Sequence, residues 1–381
     1  MSNNHTSHFK GTDSILWLWL FLILLCPALV FLWSERGMSA SVSGKPEQPV
    51  SVSGKAEQPV APIHGISASP SGTPAPADKP AAVVNPVTAA PLQIIQVKHL
   101  FDIKKEAVIP PLDQPSAVAV DSQKRIWVLD GVNGRLVLFS YDGKYLAQFG
   151  KKGSDRGEFK SPLGLMIDSK DRIYVADSKN HRIQVFDDRA SPVTEIPVPP
   201  DKYRSLSDPT DMAFDEVNQQ LVAVDNDNHR LLIYDKKFEL LKEVGGVGYE
   251  NGDFRYPYAI CLDKSGNMYV TDVINTRVQV LSPQGEYIRS IGEWGIERGQ
   301  FFRPQSICMD QQERIFVGEN YDKIGLIQVF DQQGNFLGVV GDMSNQKIRF
   351  KVPADLCIDQ QNRLYVVQMY TSTISVYSIG K

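Results

Sequence analysis

One pattern recurs six times in the chain and limits the fold it can adopt. The segments QPSAVAVD, SPLGLMID, DPTDMAFD, YPYAICLD, RPQSICMD and VPADLCID each carry a proline followed six residues later by an aspartate. The prolines are Pro115, Pro162, Pro209, Pro257, Pro304 and Pro353, at steps of 47, 47, 48, 47 and 49 residues. A fixed period of this size means units that stack or radiate and bury their faces on one another. Each unit holds four short runs of β-branched and aromatic residues separated by turn formers. In the second unit they are LGLMID, RIYVAD, RIQVFD and VTEIPV. Four strands per unit, six times over, predict an all-β, six-bladed propeller of four-stranded blades.

The last unit stops after its third run, ISVYSIGK. The missing strand is available near residue 94, where IIQVKHLFDI resembles the fourth runs KYLAQFG and EYIRSIG. A final blade closed by this N-terminal strand leaves no open sheet edge. The propeller is therefore predicted to occupy residues 92–381.

Four units continue after their second run with Asp-x-x-Asn-x-Arg: Asp130, Asn133 and Arg135; Asp177, Asn180 and Arg182; Asp225, Asn228 and Arg230; Asp272, Asn275 and Arg277. Gly-x-Phe precedes three of the prolines, at Gly157 and Phe159, Gly252 and Phe254, and Gly299 and Phe301. Together with the Pro-to-Asp strand, this set resembles the NHL repeat. The resemblance covers residues 92–381. It implies a domain that binds protein, peptide or RNA, with lactonases and peptide-amidating lyases among related six-bladed folds. The bland reading of the Asp-Asn-Arg sets is structural: each Arg pairs with its Asp and ties adjacent loops together. The apolar residue three before each proline (Leu112, Phe159, Leu206, Phe254, Phe301, Phe350) is expected to pack between blades.

Symmetry fails in the last two units. Blade five has Glu319 and a longer loop, NYDKIG; blade six has Gln368 and MYTST. Loops on a rigid scaffold are where binding residues gather, and exposed aromatics make anchors. Tyr321, Lys323, Met369 and Tyr370, with Trp294 and Tyr249 in inter-blade loops, are therefore the candidate contacts for a protein or peptide. At the channel mouth, two residues after each proline, stand Ala117, Gly164, Asp211, Ala259, Ser306 and Asp355. The two acids fall in opposite blades. Comparison with six-bladed lactonases makes Asp211 and Asp355 the metal candidates, with Ser306 as a third oxygen, in a calcium-dependent hydrolase. That is the alternative to a binding scaffold without cofactor. Calcium takes six to eight oxygens, and the bland reading is an Asp capping neighbouring amides. Cys261, Cys308 and Cys357 recur at one strand position, where ring geometry opposes a disulfide; they read as buried small hydrophobes. The propeller carries 35 basic and 39 acidic residues, so no nucleic acid is expected as a partner.

The first ninety or so residues are of another kind. Residues 1–14 are a short tail. ILWLWLFLILLCPALVFLW, residues 15–33, is uncharged over 19 positions, about 28 Å as a helix, the thickness of a bilayer core. The span is placed at 15–36. A secretory signal has a shorter apolar core and a small-x-small site; Ser39-Ala40-Ser41 is a poor one. Residues 37–91, rich in Pro, Ser, Ala and Gly, repeat SVSGKPEQPV as SVSGKAEQPV and read as a tether of about 40 Å. The chain is thus expected to be a single-pass membrane protein with its propeller on the extracytoplasmic side. Intact mass of the membrane-extracted protein should include residues 15–33; a mature chain beginning near residue 41 overturns the anchor.

Overall fold

The computed structural model describes residues 92–380 except 204, 322 and 323. The expected span at 15–33, the tether at 37–91 and Lys323 lie outside the described residues. No helix among the described residues is long and apolar enough to cross a membrane.

Six blades form the ring. Blade one is Pro115–Val120, Ile126–Asp130, Arg135–Phe139 and Tyr145–Phe149, paired in that order and antiparallel. Blades two, three and four repeat this as separate four-stranded sheets. The innermost strands of successive blades touch in chain order, and that of blade six, Pro353–Ile358, touches that of blade one. Proline opens the innermost strand in five blades, a position where a sheet tolerates its missing N–H. In blade two the regular strand, Leu165–Ile167, begins three residues after Pro162.

The second and third strands of blade one are buried at every residue, whereas its fourth is half exposed. Middle strands are covered on both faces by neighbouring blades, so they read as unbroken apolar runs rather than alternating ones. Trp127, Tyr174, Tyr269, Phe316 and Tyr365 fill the same place in five second strands, all essentially inaccessible. The aspartate six residues after each proline organises the turn behind them. Asp121, for example, accepts the Arg125 amide (2.8 Å) and the Trp127 indole N–H (2.9 Å).

Ile94–Ile103 closes the ring. It runs antiparallel to Thr373–Ile379, from Val97 opposite Ile379 to Ile103 opposite Ile374, with a bulge between His99 and Phe101. Its first residues also lie parallel to Phe336–Gly341 of blade five, Ile94 opposite Val339. Blades five and six thereby fuse into one eight-stranded sheet, which the sequence pattern did not announce. Gly143, in the last hairpin of blade one, sits so near this strand that a Cβ there would lie 2.7 Å from the Phe101 ring.

Five of the six residues expected to pack between blades do so; Leu206 does not, being 64% exposed. The loop into blade three lacks Gly-x-Phe and carries Pro199-Pro200 instead. Val198, whose amide bonds the His181 carbonyl (3.0 Å), joins the core between blades two and three. Cys308 is buried as expected, but Cys261 and Cys357 are only partly so; all three are free thiols, and burial pushes each thiol pKa up.

Ile103 anchors the closing strand in the core shared by blades six and one. Ile103→Ala should cost about 2–5 kcal/mol, whereas Leu100→Ala on the exposed edge should cost under about 0.5 kcal/mol. Equal thermal stability of the two variants is the result that contradicts closure.

Candidate functional site

All loops joining second to third strands, and all loops joining blades, open on one face. Pro115 pairs with Asp130, so the start of a first strand and the end of a second share that face. The Asp-Asn-Arg sets build its floor. Asp130 accepts the Asp113 amide (2.8 Å), the Asn133 side chain (2.9 Å) and Arg135 Nε (2.8 Å). Arg135 then reaches the Pro110 carbonyl of the entering loop. In blade four Asp272 does the same with the Arg255 amide, Asn275 and Arg277. Arg277 continues to the Glu250 (2.8 Å) and Asp253 (3.0 Å) carbonyls. The sets are inward-facing joints, as the structural reading expected; the four aspartate side chains have no exposed area.

Blades five and six keep the acceptor and drop the arginine. Glu319 accepts the Phe302 amide (3.1 Å) and the Gln328 amide group (2.9 Å). Gln368 accepts the Lys351 amide (2.9 Å) and donates to Ser375 Oγ (2.8 Å). The register explains blade five. Asp272 stands opposite Arg277, but the longer hairpin, with Tyr321 opposite Ile324, sets Leu326 opposite Glu319. A pocket of about 350 Å³ opens there, lined by Gly295, Ile296, Phe302, Glu319, Tyr321, Leu326, Lys347 and Arg349. Tyr321 is 54% exposed and meets Phe302 edge-on at 4.9 Å between centroids. Trp294, 72% exposed, precedes the lining residue Gly295 in the chain. Tyr370, half exposed in blade six, and Tyr249, beside blade four and bonded to Arg255 (2.7 Å), are not among its lining. Burial pushes the Glu319 carboxyl above the ordinary range, opposed by its bonds to Phe302 and Gln328.

The second site is the channel mouth. Ala117, Gly164, Asp211, Ala259 and Asp355 line one axial cavity with Tyr258 and Thr210. Its volume is about 10 Å³, room for roughly one water. Ser306 is not part of that lining: it is buried and its hydroxyl donates to the Pro353 carbonyl (2.9 Å). The same clasp recurs from Ser116 to Pro162 (3.0 Å) and from Asn226 to Pro257 (2.7 Å). Asp211 accepts the Ile260 amide of the next blade (2.9 Å), and Asp355 accepts that of Val118 (2.9 Å) and its own neighbour Leu356 (2.8 Å). Both acids therefore cap neighbouring amides. Burial raises the Asp355 carboxyl to about 7, and burial followed by the Asp355 charge raises that of Asp211 well above the ordinary range. Among the described residues no group of three or more His, Cys, Asp and Glu side chains could hold a metal ion. Three of the four carboxylate oxygens accept amides, whereas calcium takes six to eight oxygens.

Sequence reasoning picked out Tyr321, and Trp294 next to Gly295 in the chain, but missed Ile296, Phe302, Leu326, Lys347 and Arg349. The signal for them was the longer hairpin, which shifts the register opposite Glu319.

The fold defined by these blades is that of a six-bladed β-propeller. A model of the family DUF5128, described as a 6-bladed beta-propeller, matches residues 111–246, which cover blades one to three. No curated protein matches. Among solved structures the chain is similar to a Bacteroides thetaiotaomicron protein of unknown function at 17% identity and a TM-score of 0.56, over 76% of this chain and 73% of that one. It is similar to a gluconolactonase from Xanthomonas campestris at 12% and 0.55, over 76% and 97%. It is also similar to virginiamycin B lyase from Staphylococcus aureus at 13% and 0.54, over 74% and 99%. Identities this low carry the fold alone.

The channel acids give a pH test. Asp355 binds its proton more tightly folded, at a pKa near 7, than unfolded, near 3.8. Its contribution is most favourable below the unfolded value and declines as pH rises to about 7, by at most roughly 1.4 kcal/mol per pH unit. Asp355→Asn keeps an amide acceptor and loses the charge. Its stability relative to the unsubstituted protein should therefore rise between pH 4 and about pH 7; a difference flat with pH contradicts the assignment.

Proposed function

We propose that this chain is a propeller scaffold that binds a protein or peptide on its loop face, held at a membrane by residues 15–33 with the propeller on the extracytoplasmic side. One observation carries the binding face. Among the described residues, large apolar side chains exposed in loops gather on that side: Ile109, Tyr203, Leu206, Val247, Tyr249, Trp294, Ile296, Met343 and Tyr370, with Tyr321 at a hairpin tip. The opposite loops expose Val217 alone. The remaining exposed large hydrophobics lie on the outer strands. Aromatic anchors around a pocket of a few hundred Å³ are what an interface hot spot needs.

A second reading, a hydrolase at the channel mouth, draws on Asp211 and Asp355. A carboxyl held protonated near neutral pH beside another acid is a pair suited to proton transfer. The cavity between them would have to widen to admit any substrate. A lactone and ester screen of the purified protein, with and without calcium, tests it; turnover abolished in Asp355→Asn would favour it.

The scaffold reading is tested by quantitative binding of a purified membrane-fraction partner to full-length protein. Trp294→Ala, Tyr321→Ala and Tyr370→Ala are compared with Val217→Lys on the opposite face. At least one of the three should lose about 2 kcal/mol, roughly thirtyfold in affinity. Losses confined to Val217→Lys would mean that the other face binds.

A further inference from the structure

Blades one to four each close their joint with an acid and an arginine from the same blade. The arginine side chains are 13% exposed or less, and each Nε lies 2.8–3.0 Å from its aspartate. Blade five retains the acid and the loop carbonyls but places an aliphatic side chain opposite. The carbonyls that Arg277 reaches in blade four, on Glu250 and Asp253, have counterparts 47 positions on at Glu297 and Gln300. Gln328 bonds the Gln300 carbonyl (2.7 Å), as Gln279 bonds that of Asp253 (2.6 Å), so blade five keeps the acid and the glutamine of the joint while the asparagine and the guanidinium of the set are missing. The 350 Å³ pocket lies where that group would be, with Glu319 and Leu326 among its walls. Blade six differs: its acceptor is the neutral Gln368, already bonded to Ser375. Blade five alone, among the described residues, has an acid at its joint and no arginine opposite.

We propose that the blade-five pocket takes an arginine side chain presented by a peptide partner, completing in trans the acid–arginine pair that the first four blades make within themselves. This rests on the loop face being the binding face. Glu319 would accept the guanidinium, as Asp272 accepts Arg277, because a planar fork suits a carboxylate and an in-plane carbonyl together. Phe302 and Tyr321 flank the path of its aliphatic stem, and an arginine on an aromatic face is itself favourable. Burial raises the Glu319 carboxyl, as it raises that of Asp272, and in blade five only the Phe302 and Gln328 bonds oppose it. Lys347 and Arg349 line the pocket, are exposed, and make no ion pair among the described residues. Solvent screens their repulsion of an incoming cation. They also suit a carboxylate beside it, so the peptide chemistry that satisfies every wall is an arginine followed by an acidic residue.

The test is calorimetric titration of full-length protein with acetyl-Ala-Arg-Asp, its citrulline and lysine analogues, and free arginine. The arginine peptide should bind saturably, and citrulline, which keeps the shape and loses the charge, should bind about tenfold to a hundredfold more weakly. Glu319→Gln should weaken the arginine peptide to a similar extent; Gln368 in blade six shows that the joint holds with an amide acceptor. Leu326→Arg supplies the guanidinium from within, as Arg277 does, and should abolish peptide binding while keeping or raising the melting temperature. Citrulline binding as well as arginine overturns the proposal. So does full binding by Leu326→Arg, or no saturation by the arginine peptide at about 10 mM, far above the affinity of a specific site. Free arginine binding as tightly as the peptide overturns the peptide as its source. If Trp294→Ala or Tyr370→Ala weakens the membrane partner while Glu319→Gln and Leu326→Arg do not, the loop face stands as the binding surface and the arginine does not.

Discussion

Every blade hangs on one hydrogen bond. An acceptor at the end of the second strand takes the amide of the loop that enters the same blade. It is Asp130 to Asp113, Asp177 to Lys160, Asp225 to Asp208, Asp272 to Arg255, Glu319 to Phe302 and Gln368 to Lys351, all between 2.7 and 3.1 Å. The loop must turn sharply before the proline, which leaves an amide that no strand can satisfy. A buried unsatisfied amide costs about 1–3 kcal/mol, so the acceptor is required six times. Residues beside it take strained backbone: Gln114, Ser161, Tyr256 and Val352, each just before a proline, have φ between 48 and 55°. A β-branched residue such as Val352 holds that conformation only where its surroundings leave no alternative.

What accompanies the acceptor decides what the face can do. A carboxylate at a closed joint is accompanied by a cation, which in four blades is an arginine that also stitches the entering loop. Replacing the acid by glutamine, as in blade six, removes the need for the cation. Blade five does neither. Its two-residue longer hairpin moves the third strand along so that Leu326 faces Glu319, and the room an arginine would fill becomes a pocket. Structure and candidate function are therefore coupled through register: the same ladder that holds the blade determines whether its joint is sealed or open.

Much of this was legible before any coordinate. The period, the proline and the acid six residues later fixed blade number and strand order, because each reflects a local requirement that repeats. The closing strand was legible from the shortage of one strand and the likeness of IIQVKHLFDI to other fourth strands. Its parallel pairing with blade five was not, since nothing in a residue pattern marks an edge that two blades share. Periodic spacing points to Leu206 as a core residue, but the loop into blade three lacks Gly-x-Phe and Val198 fills the core there instead. Ser306 follows the same bulge as Ala117, Asp211 and Asp355; what spacing does not reveal is that its hydroxyl bonds the Pro353 carbonyl of the next blade.

The channel mouth and the blade-five pocket show two ways in which a propeller tolerates a carboxylate away from water. Asp211 and Asp355 are held by amide donors alone, so the charged form is disfavoured and the carboxyls titrate high. The joint aspartates of the first four blades have both amides and a guanidinium, and burial still raises the carboxyl of Asp272. Glu319 lies between these cases: it has the amides of its joint, no cation from its own blade, and a pocket through which one can arrive. A group in that position gains most from a positively charged ligand because the cost of burying it has already been met in folding. The gain on binding is then the charge-assisted bond itself, which is how a small pocket on a flat loop face can contribute specificity out of proportion to its area.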